Sequence, residues 1–427
     1  MSRARIGGWI APLLVAALIA VLAVIGAVAW LNVRGEAPVA MDAAPVPGTA
    51  EQVARGRYLA TAGNCAGCHT APGGPAYAGG RPIDTPFGTV YSSNLTPDAA
   101  SGLGRWSPDH FWRAMHHGRS RDGRLLYPAF PYPNYTHVTR ADSDALYAFL
   151  QSLPAVAREN NAHTVGFPYN TQAALAVWRA LYFRAGAAPE DPARSPEWNR
   201  GAYLVQGLGH CNACHSARDA LGGSAGAFDL SGGLIPMQNW YAPSLASAAE
   251  AGVADWALDD ITALLRDGVT HRATVIGPMA EVVLNSTQHL SDADLRAMGV
   301  YLQALPQQPV QPPAATARPD ERGAALYERH CAACHRADGR GVPGAYPALA
   351  DNRAVTMDPP ANAVRAVLLG GFAPATARNP RPFGMPPFAS TLSSDEVAAV
   401  LTYVRGSFGN RGTAVTALDV QRYRTQD

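Results

Sequence analysis

Charge of either sign is scarce in this chain. Its 427 residues hold 34 basic and 33 acidic side chains, a formal net charge of +1. A nucleic-acid or other polyanionic partner therefore has no electrostatic footprint. None of the basic residues is lysine, a bias to which no function attaches. Charged residues make up 16% against 48% apolar, which excludes intrinsic disorder. Also missing are a phosphate-cradling glycine loop, a nicotinamide fingerprint and a nucleophile–base pair, so substrate chemistry has no visible seat here. Long apolar runs are absent but for one near the N-terminus, which limits the chain to a single membrane pass. Cysteine is limited to six residues, while 41 Gly and 35 Pro point to loop-rich domains. The length suggests about two to four domains.

The single apolar run is Trp9 to Leu31, without a charge. As a helix at about 1.5 Å per residue it would cover roughly 34 Å, enough for a bilayer core. Arg3 and Arg5 precede it, which by the positive-inside rule keeps the N-terminus in the cytoplasm and exports the rest. Trp9 and Trp30 stand where interfacial anchors belong. A cleaved signal peptide is the competing reading, since Ala27-Val28-Ala29 fits a small-x-small site. Its apolar run is long for a signal peptide, and both readings export residue 35 onward.

The six cysteines fall as three pairs, each followed by histidine: Cys65-Ala-Gly-Cys68-His69, Cys211-Asn-Ala-Cys214-His215 and Cys331-Ala-Ala-Cys334-His335. This is the attachment signal for c-type haem. Two thiols add across the two vinyl groups of one porphyrin, and the adjacent histidine is delivered to the iron from one face. Zinc would need a second ligand pair near each motif, which is missing. A redox dithiol would not require the histidine three times over. The pattern predicts three covalently bound c-type haems.

The flanks repeat as well. Arg55-Gly56-Arg57-Tyr58-Leu59, Arg200-Gly201-Ala202-Tyr203-Leu204 and Arg322-Gly323-Ala324-Ala325-Leu326-Tyr327 each read as a helix leading into the motif. Segments starting near Asp142, Ser291 and Ser393 read as closing amphipathic helices with Ser or Asp caps. Helix, haem, loops and closing helix resemble the class I cytochrome c domain. The expected fold is all-α, with three tandem domains at 51–153, 195–305 and 320–412 behind one N-terminal transmembrane helix at 9–31. Residues 306–319, with Pro306, Pro309, Pro312, Pro313 and Pro319, read as a stiff, extended linker. The stretch Ala173–Phe183 reads as a short helix packed in the core or against a partner.

A low-spin haem takes a second axial ligand, and methionine in that role raises the potential. In the cytochrome c domain it comes from the loop before the last helix. Met279 in the second unit and Met385 in the third occupy matching positions, whereas Met298 is expected in the core and Met237 is a weaker candidate. The first unit breaks the pattern, because Phe130 stands where methionine belongs. Its preceding helix aligns Met115 with Leu265, which makes Met115 the candidate ligand there. His116 or His117, or an open iron, are the alternatives. His210 and His330, directly before their motifs, are expected near the porphyrin edge.

Four further segments sharpen the resemblance: Gly73–Asp98, Leu126–Tyr132, Asn239–Pro243 and Gly277–Glu281 with Asn285–His289. Over roughly residues 51–408 the chain resembles the triheme cytochrome c subunits of bacterial membrane-bound dehydrogenases. That resemblance implies Met279 and Met385 as ligands. It also implies a separate catalytic dehydrogenase subunit of quinoprotein, flavoprotein or molybdenum type. Ubiquinone or another respiratory carrier would receive the electrons, and the haem domains would face the periplasm from the bacterial inner membrane. Phe130 departs from alcohol-dehydrogenase-type members and leans toward the molybdenum-hydroxylase branch. The competing functions are an anchored cytochrome subunit of a terminal oxidase, or a peroxidase-like enzyme with an open first haem. Exported protein should stain for haem-dependent peroxidase activity on a denaturing gel and exceed the bare polypeptide mass by three haems. Replacing both cysteines of one motif with serine should remove one haem.

Overall fold

A computed structural model describes residues 10–186, 190–224, 229–309 and 316–424. Arg3, Arg5 and Trp9 lie outside the described residues, as do residues 310–315 of the proline-rich linker. The molecule is helix-rich, with short antiparallel strand pairs between the helices.

Helix α1, Ile10–Val33, is apolar along its length and none of its apolar window is buried in the body. Its end is tied down: Asn32 Nδ2 donates to Ala176 O at 2.9 Å, and Arg119 donates to Asn32 O at 2.9 Å and pairs with Glu36 just beyond the helix.

The first repeat opens with α2, Ala50–Ala62, started by a Thr49–Gln52 capping box. A three-stranded sheet follows, in the order β1 (Pro82–Thr85), β2 (Gly88–Tyr91) and β3 (Thr164–Val165). Helix α3, Pro108–His117, is started by Ser107 and stopped by left-handed Gly118. The closing helix α4, Arg140–Gln151, is capped by Thr139 rather than near Asp142. Asp142 sits in its first turn, where it pairs with Arg55 at 2.5 Å. The connector then forms α5, Gln172–Tyr182.

The second repeat follows the same order. Helix α6, Pro196–Ala202, runs on into a π-helical turn at Tyr203–Leu208. Strands β4 (Gly233–Leu234) and β5 (Tyr241–Ala242) pair, and α7, Leu258–Asp267, ends at left-handed Gly268 as α3 ends at Gly118. Helix α8, Pro278–Asn285, precedes the closing helix α9, Asp292–Gln303, capped by Ser291. In the third repeat α10 (Glu321–His330) leads in, and α11 (Ala361–Leu369) lies between. Strands β6 (Gly371–Phe372) and β7 (Gly384–Met385) pair before the closing helix α12 (Ser394–Gly406) and a last helix α13 (Ala417–Arg424).

Each leading helix crosses its closing helix at a glycine. A Cβ on Gly56 would stand 1.9 Å from Ala145 O, on Gly201 2.0 Å from Ala297 O, and on Gly323 2.6 Å from Ala399 O. The repeated Arg-Gly dipeptide is therefore a packing requirement: only glycine lets the two backbones approach so closely.

The first two repeats share one hydrophobic core, whereas the third has its own. Tyrosine side chains exchanged between repeats link the first two. Tyr58 donates to Asp294 at 2.7 Å, an acid already bound by Arg200 of its own repeat at 2.7 Å. Reciprocally, Tyr203 donates to Asp142 at 2.5 Å, which Arg55 of its own repeat binds. The third repeat has Ala325 at the equivalent place and docks differently. Asn362 makes paired hydrogen bonds with the Tyr241 backbone at 2.9 and 2.7 Å, and Arg353 reaches Asp255 at 2.7 Å. Gly56→Ala should lower stability by about 1–3 kcal/mol through overpacking. The denaturant midpoint of the haem-loaded protein reads this, and an unchanged midpoint would contradict the close crossing.

Candidate functional site

None of the six motif cysteines is in a disulfide. Burial pushes Cys65 and Cys211 up to about 12 and Cys331 up to about 11, which holds these sulfurs neutral. Among the described residues no group of three or more His, Cys, Asp and Glu is placed together.

The chain enters the first two motifs through a left-handed residue, Asn64 (φ 48°) or His210 (φ 40°). The backbone then coils into a short turn, Cys65–His69 or Cys211–Ala213. In the third repeat Ala332–His335 coils without such an entry, and Cys331 has φ −121°. An arginine clasps the first two turns: Arg81 donates to Gly67 O at 2.5 Å and Arg218 to Ala213 O at 2.8 Å.

The three histidines are held alike. His69 Nδ1 lies 2.7 Å from Ser93 O, His215 Nδ1 2.7 Å from Pro243 O, and His335 Nδ1 3.0 Å from Pro347 O. A carbonyl oxygen can only accept, so each Nδ1 carries the proton and each Nε2 is left as the basic atom. Burial lowers the pKa of all three rings, which favours the neutral, ligating form. The main chain is pinned too. The His69, His215 and His335 carbonyls accept from Gly79, Gly232 and Gly341 at 2.8, 2.9 and 3.0 Å. Those glycines have φ of +70°, +80° and +62°, and a Cβ on any of them would fall within 2.5 Å of neighbouring backbone.

Sequence reasoning missed the carbonyl acceptors. A signal was there, because each acceptor stands two residues before a leucine (Leu95, Leu245, Leu349) that packs on its repeat's core. The separation from the histidine varies from 12 to 28 residues, which hides the match from a search by fixed spacing.

Met115 lies on α3, 5% exposed, inside the shared core. Leu265 is buried at the matching place on α7, as the alignment expects. Phe130 and Cys65 pack on the same core, and so do Met279 and Cys211. Met279 is the second residue of α8, after Pro278 and the N-cap Gly277, while Met385 sits in β7, paired with Gly371. His116 stacks on Trp112 with ring centroids 4.3 Å apart, and burial lowers it and His117 to about 4. Met298 is buried in the core, and Met237 is exposed. His210 approaches Gly63 O across the repeats at 3.3 Å, and His330 lies edge-on to Phe388.

A cytochrome c family profile matches residues 53–154 and 321–407, covering the first and third repeats. The chain is 38% identical to the cytochrome c subunit of a quinone-dependent alcohol dehydrogenase from Gluconacetobacter polyoxogenes, over 87% of this chain and 84% of that one. It is 37% identical to the gluconate 2-dehydrogenase cytochrome c subunit of Pantoea cypripedii, over 88% and 90%. The chain belongs to the family of dehydrogenase cytochrome c subunits. One of the nicotinate dehydrogenase subunits of Pseudomonas putida is 42% identical over 84% of this chain, which corresponds to 30% of that longer protein. Members of this family are electron-transfer components of dehydrogenase complexes rather than catalysts in their own right, and cytochrome c carries covalently bound c-type haem. Such a haem would need paired thiols to add across its vinyl groups and an imidazole with Nδ1 tied and Nε2 available to bind its iron, and each motif supplies both.

Proposed function

We propose that this chain is a three-haem electron conduit, anchored in the bacterial inner membrane by α1 with its haem domains in the periplasm. The carrying observation is the threefold repetition of the pinned histidine, which includes the second repeat that the family profile does not cover. On this reading the cytochrome c domains are 51–153, 195–305 and 320–412. Cys65 and Cys68, Cys211 and Cys214, and Cys331 and Cys334 form the thioether links, and His69, His215 and His335 bind the irons. Haem, when bound, supplies one-electron exchange.

The polypeptide sets how that exchange runs. The carbonyl bonds orient each imidazole and raise its basicity. Met279 and Met385 would bind the irons of the second and third haems and would raise their potentials. Met115 serves the first, from inside the shared core. The shared core holds the first two motif segments in one packed unit. Electrons enter from a catalytic dehydrogenase subunit and leave to ubiquinone. Phe130, read through the family resemblance, leans toward a partner of the molybdenum-hydroxylase branch, and the 42% identity to a nicotinate dehydrogenase component makes a nicotinate-type dehydrogenase a further candidate.

Two measurements check this reading. Met279→Ala and Met385→Ala should each turn one haem of three from low to high spin and lower one midpoint potential. Met115→Leu should do the same for the first haem, and an unperturbed low-spin spectrum would dismiss Met115. The purified subunit without its partner should be reduced by dithionite yet remain inert to ethanol, gluconate and aldehydes. Substrate turnover by the lone subunit would overturn the conduit reading.

A further inference from the structure

Helix α5 has an outward face that water does not explain. Its only charged residue is Arg179, and that side chain is 4% exposed. Arg179 points inward, donating to Asn32 Oδ1 at 2.8 Å and to the His117 carbonyl. Leu175 and Phe183 are buried on the same side. The opposite side presents Val177 at 49% and Leu181 at 55% exposure, one helical turn apart. Phe167 at 82%, Tyr169 at 40% and Leu221 at 44% extend this apolar surface. Leu221 is joined to α5 through the Trp178 indole, which donates to its carbonyl at 3.1 Å.

The position of this surface identifies its occupant. Asn32 closes the last turn of α1, and it both donates to the α5 backbone at Ala176 and accepts from Arg179. A helix the length of α1 spans a hydrocarbon core of about 30 Å, which places Asn32 and the neighbouring exposed Trp30 at the headgroup level. Helix α5 is bonded to the span at that depth. Its surroundings have interfacial chemistry: Arg34 lies 5.1 Å from the Trp30 ring, and Trp178 packs against Tyr182, whose hydroxyl donates to Asp219 at 2.7 Å.

We propose that the outward face of α5 rests in the periplasmic leaflet of the bilayer that α1 crosses, as a second membrane contact lying in the plane. The contact builds on the anchoring reading above. Two attachments sharing Asn32 hold the first repeat at a set tilt and height above the lipid, which a lone flexible tether would not do.

The test uses the full-length, haem-loaded chain in nanodiscs of phosphatidylethanolamine and phosphatidylglycerol carrying a diazirine on the acyl chain. After irradiation, mass spectrometry maps the labelled peptides. Label is expected on α1 and on residues 167–182. In a Val177→Asn/Leu181→Asn variant, label on 167–182 should fall about tenfold, the scale set by removing two aliphatic side chains from lipid, while label on α1 persists. Label on α1 with none on 167–182 overturns the proposal and leaves the anchor standing, the result expected if a protein subunit covers this face. Label on 167–182 without α1 overturns the anchor and keeps the surface contact. Equal labelling of 167–182 in variant and wild type also overturns it.

Discussion

A single hydrogen bond, made three times, organises this molecule: the imidazole Nδ1 of a Cys-x-x-Cys-His histidine donating to a backbone carbonyl. It sets the tautomer, the ring orientation and the one nitrogen left for a metal. The carbonyl must come from a loop beyond the motif, so that loop has to fold back over the histidine. It does so at a left-handed glycine, which also donates to the histidine main chain. The leading helix delivers the motif and the closing helix supports it, and the two can meet only where glycine removes the side chain between them. The repeat is therefore a frame built to hold one ring still.

The three frames are not equivalent. Tyr58 and Tyr203 reach across to carboxylates that are already paired with arginine, and the half-buried polar network they complete links the first two repeats beside their shared core. A network of this kind is favourable only when every member is satisfied. Ala325 supplies no hydroxyl, so the third repeat keeps its own core and attaches through backbone-directed bonds from Asn362 and Arg353. The first two motif segments therefore share one core, and the third is docked beside it.

Much of this was legible in the residues. Cys-x-x-Cys-His names its chemistry through spacing alone, because the porphyrin fixes the distance between its two thiols. The closing helices announce themselves through caps and apolar periodicity, although Thr139 rather than the Asp142 region begins the first of them. Leu265 and Met115 are both buried at corresponding places on their helices. Less legible was the second half of Arg-Gly-x-Tyr. The glycine and the tyrosine looked like features of one helix, yet each acts on a different helix, the tyrosine on one in another repeat. The connector Ala173–Phe183 was readable as a helix, but its division into a buried face and a bare apolar face was not.

The sequence by itself determined the attachment chemistry, the repeat and the one stretch apolar enough to cross a bilayer, because these depend on residue types at short, fixed separations. Tertiary structure alone decided which carbonyl holds each histidine, which repeats fuse and where α5 meets the end of α1. Those pairings join residues from 12 to well over 200 positions apart. At such distances spacing carries no information, and the choice falls to which backbones can pack closely enough to meet.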